Sequence, residues 1–224
     1  MQILVSIVNF RTPQLVIDCL QSLATDLDLK AGDRVVVADA NSEDGSSTII
    51  RQAIDSNGYG SWVELLSLPD NPGFAASNNR IIEHSREDES REPWDAVWLL
   101  NPDTVTLPGA RDALVSELLA ADDVGIIGSR LQGRDSTPQF ASFRFHTAAS
   151  EFDLHFRWGV ISQWLQRSVV VDPRIDESHE TQWVSGASML VRREVLDQIG
   201  LLDEGYFLYF EETDFCLRAH RAQW

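Results

Sequence analysis

Five short apolar runs, each closing on polar residues, dominate the first 131 positions and restrict the fold more than any other feature. They are residues 3–10 (ILVSIVNF), 34–40 (RVVVADA), 62–68 (WVELLSL), 95–100 (DAVWLL) and 124–131 (VGIIGSRL). Short continuous apolar runs suit strands buried on both faces. Helical patterns separate them. Thr12-Pro13 offers an N-cap and a proline at the first helical position, and Val16, Cys19, Leu20 and Leu23 follow at helical spacing. Ile49, Ile50 and Ile54 mark a second helix, Phe74–His84 a third, and residues 109–121 a fourth. Strands alternating with helices predict an α/β fold, a mainly parallel sheet with a helical layer on each face.

In open sheets of this kind ligands bind beyond the carboxyl ends of the strands. Asp39, Asn71 and Asp103 all follow strand ends and are expected to collect there. Past residue 132 the rhythm breaks into an irregular, aromatic-rich stretch. It resumes at 181–199 as a strand and a short helix, before an aromatic run and an acidic helix start. Without repeats or a linker, residues 1–224 read as one domain whose rhythm changes at residue 132.

Composition excludes several classes. A net charge of −17 offers no phosphate-neutralising surface and argues against nucleic acid as a partner. Lys30 is the only lysine, so anions would be met by arginine, backbone or a metal ion. No glycine precedes Gly32, so the first strand cannot lead into a GxGxxG turn, and GK[ST], HExxH and GxSxG are absent. Cys19 and Cys216 fit no metal or redox spacing and read as buried thiols. With neither a signal-peptide pattern nor a long apolar run, the expected location is the cytoplasm, including the inner face of the cell membrane.

Each polar cluster has a plain and a chemical reading. Asn101 and Asp103, two apart, form a turn or offer oxygens to a hard cation such as Mg²⁺ or Mn²⁺. Asp39, Asn41 and Ser42 form an Asx-turn or face a base or ribose. NPGFAASNN at 71–79 is a loop-to-helix junction or a phosphate- and sugar-facing helix start. Glu211, Glu212 and Asp214 favour a helix N-terminus, or supply a general base beside an aromatic wall.

Taken in order, VSIVNF (5–10), DANSEDGS (39–46), NPGFAASNN, WLLNPDT (98–104) and the segment 183–224 resemble family 2 glycosyltransferases of the GT-A fold, in the rhamnosyltransferase-like branch. The resemblance implies a three-layer α/β/α sandwich with a Rossmann-like nucleotide-sugar-binding half at 1–131 and an acceptor-side half at 132–224. It also implies inverting transfer of a sugar from a nucleoside diphosphate to an acceptor hydroxyl, without a protein nucleophile. Asn9 and Phe10 match the edge of the nucleotide pocket. Asp39, beside Asn41 and Ser42, matches the acidic base contact. Asn71, Gly73 and Asn78 match the loop along the nucleotide and donor sugar, and Gly186 and Ala187 a loop between donor and acceptor. Asn101-Pro102-Asp103 stands at the Asp-x-Asp metal motif, which leaves Asp103 as the direct ligand. Glu212 stands at the base position, with glutamate in place of the usual aspartate and with Glu211 and Asp214 as competitors.

The family continues past the segment that ends here at Trp224, so a truncated chain or a weaker metal site is expected. The resemblance makes dTDP-L-rhamnose the expected donor, and a glycan or polyprenyl-linked sugar of cell-surface polysaccharide synthesis the expected acceptor. Residues 152–165 (FDLHFRWGVISQWL) read as a peripheral membrane helix or acceptor groove, or else as a core-packing or homodimer-contact helix. Two other functions stand beside these: a non-catalytic nucleotide-sugar-binding protein and a sugar-phosphate nucleotidyltransferase.

Overall fold

The mainly apolar character of residues 3–9 has its cause at the centre of the sheet, where this strand has a neighbour on each side and helices above and below. The computed structural model describes residues 1–29, 32–88, 90, 92–145 and 178–224. Its strands are β1 (Ile3–Asn9), β2 (Arg34–Asp39), β3 (Val63–Ser67), β4 (Ala96–Leu100) and β5 (Ile126–Gly128), then four two-residue strands and a longer one. The short strands are β6 (Leu131–Gln132), β7 (Pro138–Gln139), β8 (Ser142–Phe143) and β9 (Trp183–Val184), and the longer is β10 (Ser188–Arg192). The helices are α1 (Pro13–Asp26), α2 (Ser46–Ser56), α3 (Phe74–Glu87), α4 (Ala110–Leu118), α5 (Arg193–Ile199) and α6 (Glu211–Arg221).

The main sheet runs β3-β2-β1-β4-β10-β5. β1 pairs in parallel with β2 and β4, and β2 with β3, whereas β10 is antiparallel to both β4 and β5. Successive side chains of a strand face opposite ways. Ile3, Val5 and Ile7 accordingly join one core with Val16, Leu20 and Leu23 of α1, Ile50 of α2 and Leu118 of α4. Leu4, Val36, Val97 and Leu99 join another with Ile81 and Ile82 of α3, Val195 of α5 and Phe215 of α6. This is the expected α/β fold, with helices on both faces.

Three local details differ from the expectation. Thr12 stands at the N-cap of α1, but its side chain makes no capping bond; its N–H and hydroxyl both donate to Asn9 Oδ1 instead. The fifth run is a strand only over Ile126–Gly128. There the bare α-carbon of Gly128 lies against Val184, and a Cβ would approach that side chain within 2.6 Å. The fourth helix stops at Leu118, where the Arg192 guanidinium takes up the carbonyls of Leu118, Ala121 and Val124. Cys19 and Cys216 are free, buried thiols, pushed up to about 12 by burial. No helix among the described residues is long and apolar enough to cross a membrane. The membrane and dimer readings of 152–165 lie outside the described residues.

Candidate active site

Parallel pairing brings the ends of β1 and β2 level, with Asn9 opposite Asp39. Asn9 Nδ2 donates to Asp39 Oδ1 at 2.6 Å, the Ser42 hydroxyl to the same oxygen at 2.6 Å, and the Ser47 hydroxyl to Oδ2 at 2.6 Å. Asp39 is therefore a buried hub that folds its own loop back onto β1. The outer surface of this corner is formed by others. Arg11 donates from its N–H to Ser42 Oγ (2.9 Å) and from Nε to the Ser42 carbonyl (3.1 Å), which lays its guanidinium 5.0 Å over the exposed Phe10 ring. Arg11, Asn41 and Glu43 all have φ between 50° and 60°. Three non-glycine residues in the left-handed region within two facing loops form a concentration of strain of the kind that gathers at binding sites.

After β3, Asn71 Oδ1 accepts from the Gly73 N–H at 3.1 Å and shapes the entry to α3. Gly73 is indispensable as glycine: its φ is +92°, and a Cβ would lie 2.3 Å from the Phe207 carbonyl oxygen. That same oxygen accepts from the Phe74 N–H at 2.8 Å. Asn78 is buried, accepting from Ser6 Oγ and donating to the Phe74 carbonyl, so its amide fastens α3 to β1. Asn79 bridges to the Leu202 backbone in both directions and to Glu204. Sequence reasoning gave Asn79 no role, although its amide stands in the same motif.

After β4, the Asn101 N–H donates to the Ala187 carbonyl at 3.0 Å, which joins the Asn-Pro-Asp turn to the loop before β10. Antiparallel pairing sets Ser188 opposite Leu100, so residues 185–187 reach the same edge of the sheet as Asn101–Asp103. A Cβ on Gly186 would stand 3.7 Å from the Phe74 ring and 3.8 Å from Cβ of Glu212. Phe74, Gly186 and Glu212, from three distant parts of the chain, thus meet at one point.

Helix α6 opens there. Glu211 is buried to 4% exposure, and the Oε2 atoms of Glu211 and Glu212 and the Thr213 hydroxyl have no hydrogen-bond partner among the described residues. Burial pushes the Glu211 carboxyl up to about 7, with the neighbouring Glu212 charge adding to the effect, and burial also raises Glu212. Asp214 differs. Arg218 Nε donates to it at 2.7 Å, and the same guanidinium holds the carbonyls of Ile199 and Leu201. Arg218 was not singled out in the sequence, though its four-residue spacing from Asp214 was the available signal.

Residues 4–200 match the model of Glycosyl transferase family 2. The chain belongs to that family. This glycosyltransferase family member is 29% identical over 198 residues to N-acetylglucosaminyl-diphospho-decaprenol L-rhamnosyltransferase of Mycobacterium tuberculosis, covering 85% of this chain and 62% of that one. It is 27% identical over 154 residues to rhamnosyltransferase WbbL of Escherichia coli, covering 67% and 55%. The chain therefore spans less than two thirds of the length of these relatives. Among solved structures, the fold is similar to mannosyltransferase PcManGT from Pyrobaculum calidifontis in complex with GDP-Man and Mn²⁺, with a TM-score of 0.67 at 14% identity. That match covers 99% of this chain and 52% of the other. The architecture is that of a GT-A glycosyltransferase.

The donor set for a divalent cation is small. Among the described residues no group of three His, Cys, Asp or Glu side chains is placed to hold one. Asp103 is exposed at the strand end, and among the described residues its carboxylate takes no hydrogen bond or ion pair. One free carboxylate with an amide two residues away fits a hard cation that draws the rest of its shell from water and a diphosphate.

Proposed function

We infer that this family 2 member is an inverting glycosyltransferase in which Glu212 takes the proton of the acceptor hydroxyl. The observation that carries the reading is the position of Glu212. It opens a helix against Gly186 and Phe74, with one carboxylate oxygen buried and unpartnered. A base needs a free oxygen and an affinity for protons near the working pH. Burial raises the Glu212 carboxyl from its ordinary value, which is the direction such a base requires. Asp214 is held by Arg218, and Glu211 is more deeply enclosed, which favours Glu212 over both.

The donor is a nucleoside diphosphate sugar at the carboxyl edge of β1–β4. Phe10 and Asn41 face the nucleotide, with Asp39 and Ser42 fixing their loop, and Asn71 and Gly73 set the loop along the donor sugar. Gly186 and Ala187 separate donor from acceptor. Mg²⁺ or Mn²⁺ held by Asp103, with Asn101 beside it, would offset charge on the departing diphosphate. The relatives' names favour L-rhamnose as the sugar, and dTDP-L-rhamnose is our choice of donor. The name of the mycobacterial relative supports a lipid-linked acceptor; we add to this reading work at the cytoplasmic membrane face in polysaccharide synthesis. Residues 1–224 act in this reading as one domain.

The test is Glu212→Gln. Turnover should fall by about 10²- to 10⁴-fold, the usual contribution of a positioned base, with donor affinity retained. Transfer at the wild-type rate would remove Glu212 from the role.

A further inference from the structure

Tyr206, Phe207, Leu208, Tyr209 and Phe210 are all exposed, Tyr209 at 70%, and form the longest run of exposed large apolar side chains among the described residues. Single exposed apolar residues are ordinary, but a contiguous patch marks a surface that meets something. The strip is also held in shape. The Phe207 carbonyl is fixed by the Phe74 N–H against Gly73, Asn79 clamps Leu202 and Glu204 just upstream, and α6 begins directly after Phe210. Tyr209 and Phe210 both lie at φ near +70°, a conformation that bulky side chains adopt only where the surroundings impose it.

The charges around the strip decide what fits it. The exposed Asp203 and Glu204 precede it, and the half-buried Glu212 follows. An anionic lipid surface or a phosphate group would meet repulsion, chiefly from Asp203 and Glu204. An uncharged ring with a C–H face and a hydroxyl edge meets none: its face covers aromatic side chains, and its hydroxyls reach the tyrosine oxygens and the carboxylates. We propose that Tyr206–Phe210 is the platform for the uncharged acceptor sugar, whose ring face lies on the aromatic side chains and whose hydroxyl edge turns toward Glu212. This rests on the glycosyltransferase reading and adds the acceptor subsite to it.

The test uses the full chain and saturation-transfer NMR with methyl N-acetyl-β-D-glucosaminide, methyl β-D-glucoside and methyl α-L-rhamnoside, with dTDP thermal shift as a separate donor-side measurement. At least one glycoside should receive saturation at its C–H face. Tyr209→Ala should reduce the effect by about fivefold and Tyr209→Phe far less, with an unchanged dTDP shift. Leu208→Ala supplies a second reading should Tyr209→Ala lower the melting temperature. A dTDP shift with no glycoside signal, or a signal indifferent to both alanine variants, overturns the platform and leaves the glycosyltransferase reading standing. Glycoside binding without any response to a nucleotide panel would instead remove the donor reading. Sedimentation with phosphatidylglycerol vesicles that is lost on Tyr209→Ala would assign the strip to a membrane and overturn the proposal.

Discussion

Gly186 lies against Glu212: a Cβ added to the glycine would stand 3.8 Å from Cβ and 3.9 Å from Cγ of the glutamate. Those are ordinary contact distances, and Gly186 is not among the residues at positive φ. Gly186→Ala should therefore keep stability within about 0.5 kcal/mol of wild type. Gly186→Leu would crowd both Phe74 and the glutamate. Its transfer rate should fall by about 10²-fold with little change in melting temperature, read from paired kinetics and thermal melts.

Glu211 gives the chain a distinctive pH dependence. An isolated glutamate titrates at 4.5 and this one near 7. Between those values the folded state binds the additional proton, so stability declines as pH rises through that window and levels off above it. Glu211→Gln removes the term. Chemical denaturation at pH 8 should find the variant more stable by up to about 3 kcal/mol, at about 1.4 kcal/mol per unit, with the gain fading toward pH 4.5. Equal stabilities at pH 8 would contradict the buried, unpartnered carboxyl.

At Gly73 both the backbone and the neighbour forbid a side chain. Gly73→Ala should destabilise by at least about 1–3 kcal/mol, because the residue lies at φ +92° and the Phe207 carbonyl occupies the space of its Cβ. The loop that carries the aromatic strip would have to shift with it, so sugar transfer should fall alongside the melting temperature.

Asp103 is exposed, and its removal should leave the fold intact. Calorimetry of Asp103→Ala should find donor affinity in Mn²⁺ weakened by at least about tenfold, with the affinity in EDTA unaltered. An unchanged titration in Mn²⁺ would rule this side chain out as a ligand.

The sheet was readable because strands covered on both faces are mainly apolar, and β1, β2 and β4 are such strands. The direction of β10 was not readable: SMLVR has the same apolar pattern whichever way it runs, and only its pairing with β4 and β5 makes it antiparallel. Strands of two residues, such as β8 and β9, are too short to have a period. At the site, sequence named the segments but not the division of labour inside them. Asp39 and Asn78 carry polar groups as suited to a ligand as to an internal network. Only the serine hydroxyls around Asp39, and Ser6 with the Phe74 carbonyl around Asn78, reveal that both are occupied within the fold. Asp214 and Arg218 advertise their pairing by spacing, yet the arginine's grip on Ile199 and Leu201 depends on the approach of α5.

Because β10 lies between β4 and β5, a segment near residue 190 closes a gap left by strands that end at 100 and begin at 126. A nascent chain halted before residue 188 would carry two unsatisfied strand margins, both apolar and prone to join other chains. Completion of the sheet therefore waits on a strand about 90 residues away from β4 in sequence, and long-range closure of this kind sets a slow pace for folding.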